Sequence, residues 1–572
     1  MVPLQSRMDF GGIFAVMSIM KIRISTASVV CLLSISAIAQ KNATPAGWHL
    51  LDKATDGYHG ISLEKAYQLV KDKKPATVIV GVIDGGTDTT HEDLKEVLWK
   101  NEREIPGNGK DDDGNGYVDD FYGWNFLGNA KGENIGKENI EAIRLYHVMK
   151  NDFENKPINP SALSIEQQEQ YNLWKKIEEK LHVTAEDRLN FRLIQSTANS
   201  LIRQDSILQQ FIGKKEYSIE ELERSIPTTD QSKRAKFNFL RAAQLLEFEA
   251  DKTNVEIFDD LNGYLSMQES ILTAKEKPLN NYRAIIGDNP ADINDRYYGN
   301  SDIMASDAKH GTHVAGIIAA VRNNGKGGDG VANNVKILTV RAVPDGDEYD
   351  KDVALSIRYA VDNGAKVINM SFGKEFSPNK PFVDAAIRYA AEKDVLLVHA
   401  AGNDSKNIDQ GDNFPTALLG NNTRADNMIT VGASGDSSIK SGMIAPFTNF
   451  GKSTVQVLAP GVKIYNTVPT GNRYAFLEGT SMAAPVVSGI AAIIRGYYPQ
   501  LSAAEVKKVL MESSDRSLTN QLFDEPGSEN KEKIAMADLC ASGGIVNAYA
   551  ALLLAEKLAI EKVKNTSGKK IK

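Results

Sequence analysis

The sequence predicts an α/β fold: a mostly parallel sheet flanked by helices, carrying a large all-helical insertion. The first indication is residues 77–84, Thr-Val-Ile-Val-Gly-Val-Ile-Asp, a continuous apolar run ending in a carboxylate, as in a strand buried on both faces. Four similar runs, 335–343, 365–370, 395–401 and 428–433, are short and rich in β-branched residues. Helical stretches separate several of them. In 352–361, Val353, Ile357, Ala360 and Val361 share one helical face, and Gly364 stands where the helix would stop. Strand, helix, strand alternation predicts parallel pairing, because the crossover helices must lie on the faces of the sheet.

The pattern changes over residues 135–282, where strand-like runs vanish and Glu, Gln, Lys and Leu dominate. Ser164-Ile-Glu-Gln167 and Ser218-Ile-Glu-Glu221 have capping-box spacing, and Ile194, Ala198, Leu201, Leu208 and Ile212 lie near one helical stripe. Pro157, Pro160, Gly213 and Pro227 divide the segment into four to six helices. No unbroken heptad run supports a coiled coil. The insertion splits the α/β pattern into 40–134 and 283–562, with a basic tail at 563–572.

A chain of 572 residues can bury a large core, and its 42% apolar and 24% charged residues are those of a water-soluble globular protein. The formal net charge of −8 gives no footprint for a nucleic-acid partner. Met20-Lys21-Ile22-Arg23, the apolar run 24–35 and Ala37-Ile38-Ala39 form the three parts of an export signal over 1–39, with translation starting at Met20 as one option and Gln40 as the mature start. A buried N-terminal helix is the alternative. Cys31 falls in the signal, which leaves Cys540 alone and excludes a disulfide framework. No later apolar run is long enough to span a bilayer.

Three segments carry chemistry. Val-Ile-Asp-Gly-Gly around Asp84, His-Gly-Thr-His-Val-Ala-Gly from His310 and Gly-Thr-Ser-Met-Ala-Ala-Pro around Ser481 supply a carboxylate, an imidazole and a hydroxyl. Together these groups can turn an alcohol into a nucleophile at neutral pH. His310 opens an apolar helical stretch, and Gly311 permits close approach of other backbone. His313 raises a metal-pair reading, which the missing Glu after His310 disfavours. Ser481 follows a tight turn into a buried helix, with Pro485 read as an early helical position and the Ser481 N–H open to a developing oxyanion. Asn403, ending Ala400-Ala-Gly-Asn, is the candidate second donor.

These motifs, in the order Asp, His, Ser, resemble those of the subtilisin-like serine proteases, the subtilases. The resemblance covers about 420 residues and skips the insertion. It implies that Asp84 orients the imidazole, His310 acts as base and then acid, Ser481 attacks, and Asn403 completes the oxyanion hole. It also implies that Ser371, Phe372 and Gly373 pair with extended substrate, so an endopeptidase of fairly broad specificity is expected. Asp404, directly after Asn403, is expected at the rim of the primary pocket. The implied chemistry needs no cofactor, and its partners are polypeptides.

Residues 108–120, Asn-Gly-Lys-Asp-Asp-Asp-Gly-Asn-Gly-Tyr-Val-Asp-Asp, resemble the first part of a calcium loop, with Asp111, Asp113, Asn115 and Asp119 as candidate ligands. Tyr122 stands where an EF-hand needs a bidentate Glu, which disfavours an EF-hand proper and leaves an acidic turn as the alternative. Calcium here would be structural.

Two features depart from the family. The Asp84 to His310 interval is far wider than the tens of residues usual there, mostly because of the insertion, which reads as a lid, an exosite, a dimer surface or passive decoration. Residues 40–77 are also too short for the pro-segment many subtilases carry. A peptide-binding pseudoprotease and a calcium-dependent helical scaffold are the competing readings; the intact triad argues against the first.

Overall fold

The computed structural model describes residues 44–569 except 247, 249, 306, 307 and 440. The expected export signal, including Met20 and Cys31, and the Gln40 start lie outside the described residues. Contacts divide the chain into two compact units, residues 139–281 and the remainder.

The larger unit is built on seven strands: β1 (Val78–Asp84), β2 (Gly123–Asn125), β3 (Val335–Arg341), β4 (Val367–Met370), β5 (Leu396–Ala400), β6 (Met428–Ser434) and β7 (Val457–Pro460). Their spatial order is β2-β3-β1-β4-β5-β6-β7, and every neighbouring pair is parallel. All carboxyl ends therefore share one edge. The apolar runs read from the sequence are β1, β3, β4, β5 and β6, trimmed by a residue or two at some ends. β2 and β7 were not legible, since Gly-Trp-Asn is too short to show a period and Val457–Pro460 is cut off by a proline.

Register sets the site. Ile83 lies beside Met370 and Met370 beside His399, so β1, β4 and β5 end almost level. β1 is flanked by β3 on one side and β4 on the other, so successive connections leave it in opposite directions. In open parallel sheets such a switch point opens a crevice at the carboxyl edge.

Two helices bring the remaining groups to that edge. The serine helix, Thr480–Tyr497, is buried at every position from Thr480 to Gly496 and packs on β1 and β4 to β7. A helix apolar all round can only sit inside a core. The histidine helix, Lys309–Ala319, packs beside it. On the other face, Asp350–Asp362 buries Val353, Ile357 and Ala360, and Gly364 follows it at φ 85°, a conformation that suits glycine at a helix end.

Residues 139–281 contain six α-helices among the described residues: Glu141–Phe153, Ile165–Lys180, Ala185–Ile212, Ile219–Arg224, Asp230–Leu245 and Asn254–Thr273. Ser164 and Gln167 form a reciprocal capping box, and Ser218 accepts the Glu221 amide. Ala198, Leu201 and Leu208 are buried in a core of this unit's own with Tyr217, Phe239 and Leu261, and Ile194 and Ile212 pack against it. Gly213, at φ 77°, ends the long helix. No helix among the described residues is long and apolar enough to cross a membrane. Cys540 is buried and unpaired, and burial pushes its thiol pKa up.

Candidate active site

Asp84 is the last residue of β1 and is 2% exposed. Its Oδ1 accepts the Gly85 amide at 2.8 Å, and both oxygens face His310 Nδ1, at 2.8 and 3.0 Å. A ring nitrogen held against a carboxylate carries the proton, which leaves the Nε2 lone pair as the basic position. The imidazole belongs to the second residue of the histidine helix, and its side chain is 43% exposed. Gly311 makes the approach feasible: a Cβ there would stand 2.1 Å from the Gly86 carbonyl oxygen and 3.0 Å from Asp84 Cβ.

His313 lies one turn further on. It is fully buried, with Nε2 3.1 Å from the Ala475 carbonyl oxygen, and burial drives its pKa down to about 3. It is a neutral core residue bonded to backbone, so it does not join His310 around a metal.

Ser481 is the second residue of the serine helix, where amide hydrogens have no intrahelical acceptor. Gly479 precedes the helix at φ 151°. The position a Gly479 Cβ would take lies 3.3 Å from Asn403 Nδ2 and 3.6 Å from Ser481 N. Two N–H donors thus border one small space that only glycine leaves open. Asn403 follows β5 through Gly402, at φ 96°, where a Cβ would press to 2.5 Å from Asn449 Nδ2.

The orientation of the Asn403 amide is set by Thr480, a role the sequence reading did not assign. Thr480 donates to Asn403 Oδ1 from its backbone N at 2.8 Å and from its Oγ1 at 2.9 Å, and accepts the Gly402 amide on Oγ1 at 3.1 Å. With Oδ1 engaged, Nδ2 is the group left to face the Gly479 gap. Thr480→Val should therefore lower kcat about 10-fold, on the scale of losing one neutral hydrogen bond, while KM stays near the wild-type value. Steady-state kinetics separate this from a folding defect, which would lower the active fraction and leave the kcat per active site unchanged.

Pro485 is the sixth residue of the serine helix, not an early one. Its missing N–H would have bonded the carbonyl four residues back, that of Ser481. The Ser371 hydroxyl takes that place, donating to Ser481 O at 2.9 Å, while Ser481 Oγ donates to Ser371 O at 3.1 Å. Ser371 Oγ also accepts Asn369 Nδ2 at 2.9 Å, and Asn369 Oδ1 accepts Ser488 Oγ at 2.9 Å. The proline therefore frees a carbonyl that joins the end of β4 to the serine helix.

Ser371, Phe372 and Gly373 continue from β4 along the carboxyl edge. Fully buried His399 faces the Phe372 carbonyl oxygen through Nε2 at 2.8 Å, and burial keeps its ring neutral, with the pKa down to about 4. Lys374 exchanges two backbone bonds of 2.9 Å with Phe414. A Cβ on Gly373 would stand 3.2 Å from the Phe414 carbonyl oxygen. This segment is thus held from below and at its far end. The Asp404 amide donates to Asn449 Oδ1 at 3.0 Å, which fixes the turn immediately beyond Asn403.

The acidic loop divides its candidates. Asp111 and Asp113 converge, together with Glu104, which the sequence reading did not include. Asn115 and Asp119 are engaged elsewhere. Asn115 Oδ1 accepts the Tyr117 amide at 2.8 Å and its Nδ2 donates to Asp120 at 3.0 Å. Asp119 accepts the amides of Asn108 and Gly109 at 3.1 and 2.8 Å.

Comparison with known proteins gives this arrangement its kinship. The subtilase family model matches residues 76–532. The thermophilic serine proteinase of Bacillus sp. (strain AK1) is 39% identical over 208 residues, which are 36% of this chain and 47% of that protein. Subtilisin DY of Bacillus licheniformis is 35% identical over 231 residues, 40% of this chain and 77% of that protein. Thermitase of Thermoactinomyces vulgaris is 35% identical over 235 residues, again 40% and 77%. The chain thus spans about half the length of the first relative and about three quarters of the other two. Asp84, His310, Asn403 and Ser481 all fall inside the family match, and the chain belongs to the subtilase family.

Proposed function

We propose that this protein is an exported serine endopeptidase that hydrolyses peptide bonds through an acyl-enzyme on Ser481. The observation that carries the reading is the contact of His310 Nδ1 with both oxygens of buried Asp84, which leaves Nε2 as the base. Ser481 Oγ attacks the scissile carbonyl carbon and its proton passes to His310 Nε2. The oxyanion forms in the space bordered by Ser481 N and Asn403 Nδ2. Collapse breaks the C–N bond, and His310 returns the proton to the departing amine. Water then repeats the sequence on the ester and regenerates Ser481.

Extended substrate lies along Ser371 to Gly373, whose carbonyls and amides act as one more strand. Binding also releases the nucleophile: the resting Ser481 hydroxyl is bonded to the Ser371 carbonyl, and a substrate N–H taking that acceptor turns the hydroxyl towards His310. The signal pattern at 1–39 supports export. A calcium ion at the acidic loop would be structural and outside the chemistry.

Casein hydrolysis by the purified chain tests the reading; well-folded protein that leaves casein and unstructured peptides intact contradicts it. Asp404 is assigned to the rim of the primary pocket, where its charge favours basic and polar side chains. Profiling of a peptide library should show Asp404→Ala losing about 3- to 10-fold in kcat/KM for lysine and arginine over leucine at that position, the scale of one solvent-exposed charge contact. An unchanged profile removes Asp404 from specificity.

A further inference from the structure

We infer that Glu104, Asp111 and Asp113 form a calcium site, one that takes its decisive ligand from outside the motif-like loop. The inference rests on the reading that the acidic loop takes a structural cation, and it specifies which groups hold it. One oxygen from each carboxylate lies within 4.8 Å of the others, the span of two Ca–O bonds of about 2.4 Å. Proximity of acids alone would mean little. Glu104 supplies the second observation.

The Glu104 residue is 4% exposed, and its Oε1 accepts the amides of Asp112 and Asp113 at 2.9 and 3.2 Å. Its Oε2 is buried with no hydrogen-bond partner. A buried carboxylate oxygen without donor or cation is costly, because it has lost water and gained nothing in exchange. The two aspartates keep acceptor capacity for a metal as well. Asp111 receives Asn115 N at 3.1 Å and Gly116 N at 2.8 Å, one on each oxygen, and every carboxylate oxygen has a further lone pair. Asp113 receives Asn115 N at 3.1 Å on Oδ1 and Asn101 Nδ2 at 3.1 Å on Oδ2.

The nearby cation is Arg103, whose guanidinium lies 2.7 Å from Asp113 Oδ2. Its side chain is 67% exposed while that of Asp113 is 1% exposed, so it reaches Asp113 from the solvent side. Three carboxylates with oxygen-only donors suit a hard divalent ion of adaptable geometry. Gly114 and Gly116, at φ 71° and 95°, let the chain curl so that alternate side chains point inward. The site would also bear on the helix Asp350–Asp362, because Asn101 joins Asp113 to Asp120, and Asp120 accepts the hydroxyl of Tyr359 at 2.7 Å.

The test is calorimetric titration of the full chain, stripped with chelator, with calcium chloride and separately with magnesium chloride, together with melting temperatures. Wild type should bind one calcium ion and gain about 3 °C in Tm near 100 times Kd. Glu104→Gln keeps the shape and one acceptor but loses the charge, and should weaken calcium binding at least about 10-fold with the calcium-free Tm unchanged or higher. Asp112→Asn serves as control, because Asp112 Oδ2 is engaged by Ile105 N and Asn108 Nδ2 outside the cluster, and should bind as wild type. Calcium bound equally by wild type and Glu104→Gln overturns this ligand set while the loop reading stands. No calcium binding in wild type overturns both, and tighter magnesium binding overturns the assignment to calcium.

Discussion

Ser481→Ala is expected to lower kcat on a peptide substrate by about 10^6-fold, the scale on which subtilisin responds to loss of its serine. The hydroxyl is the proposed nucleophile, and the proposed oxyanion donors, Ser481 N and Asn403 Nδ2, would keep whatever catalysis is left. Stability should hardly change. The side chain makes one hydrogen bond, to the Ser371 carbonyl, and a bond of that kind contributes about 1 kcal/mol. Steady-state kinetics beside thermal melting distinguish the two effects; a similar loss of Tm and activity would mean that the residue serves the fold.

Gly311→Ala is expected to cost about 10^2- to 10^4-fold in kcat, although it adds one methyl group and removes nothing. The new Cβ would lie 2.1 Å from the Gly86 carbonyl oxygen, a backbone atom that cannot swing aside. Either the histidine helix or the turn after β1 must move by about 1 Å, and the His310 contact with Asp84 sits at that joint. A shift of about 1 Å in a reacting group costs on the order of 10^2-fold, and complete loss of the orienting aspartate costs about 3 × 10^4 in subtilisin. Overpacking should also cost about 1–3 kcal/mol of stability. Ala319→Gly, at the far end of the same helix, is the control: it should lose stability by up to about 1 kcal/mol and keep kcat. Equal kcat in wild type and Gly311→Ala would show that the Asp84 to His310 geometry is not limiting.

What could be read from the chain follows from how tightly physics restricts each residue. Strands buried on both faces must be apolar throughout, so β1, β4 and β5 stand out as runs, and their parallel pairing brings Asp84, Ser371 and Asn403 to one edge. Reactive groups were legible for a similar reason, because few residue types can do their work. Residues that act through others carried no such mark. Thr480 was seen as a flank of the serine, and only the fold reveals that it holds the Asn403 amide. Pro485 was placed too early, since nothing local announces that the Ser371 hydroxyl would accept the role of its missing N–H.

Glu104 was invisible for a different reason. Motif spacing finds ligands that alternate along one curled loop, whereas Glu104 joins from the turn upstream, at no fixed interval. His399 is one polar residue in a buried run, and its partner, the Phe372 carbonyl oxygen, lies on the segment that follows the neighbouring strand β4. In each case the missing information was a contact between segments.

We propose that the carboxyl edge of this sheet assembles a single acyl-transfer site with Ser481 as its nucleophile. Peptide mass spectrometry of the full chain after treatment with a fluorophosphonate tests it most directly. One phosphonyl adduct on the peptide containing Ser481, absent from Ser481→Ala and formed more slowly in Gly311→Ala, is the predicted result. Folded protein that takes no adduct, or takes it on another serine, contradicts the claim.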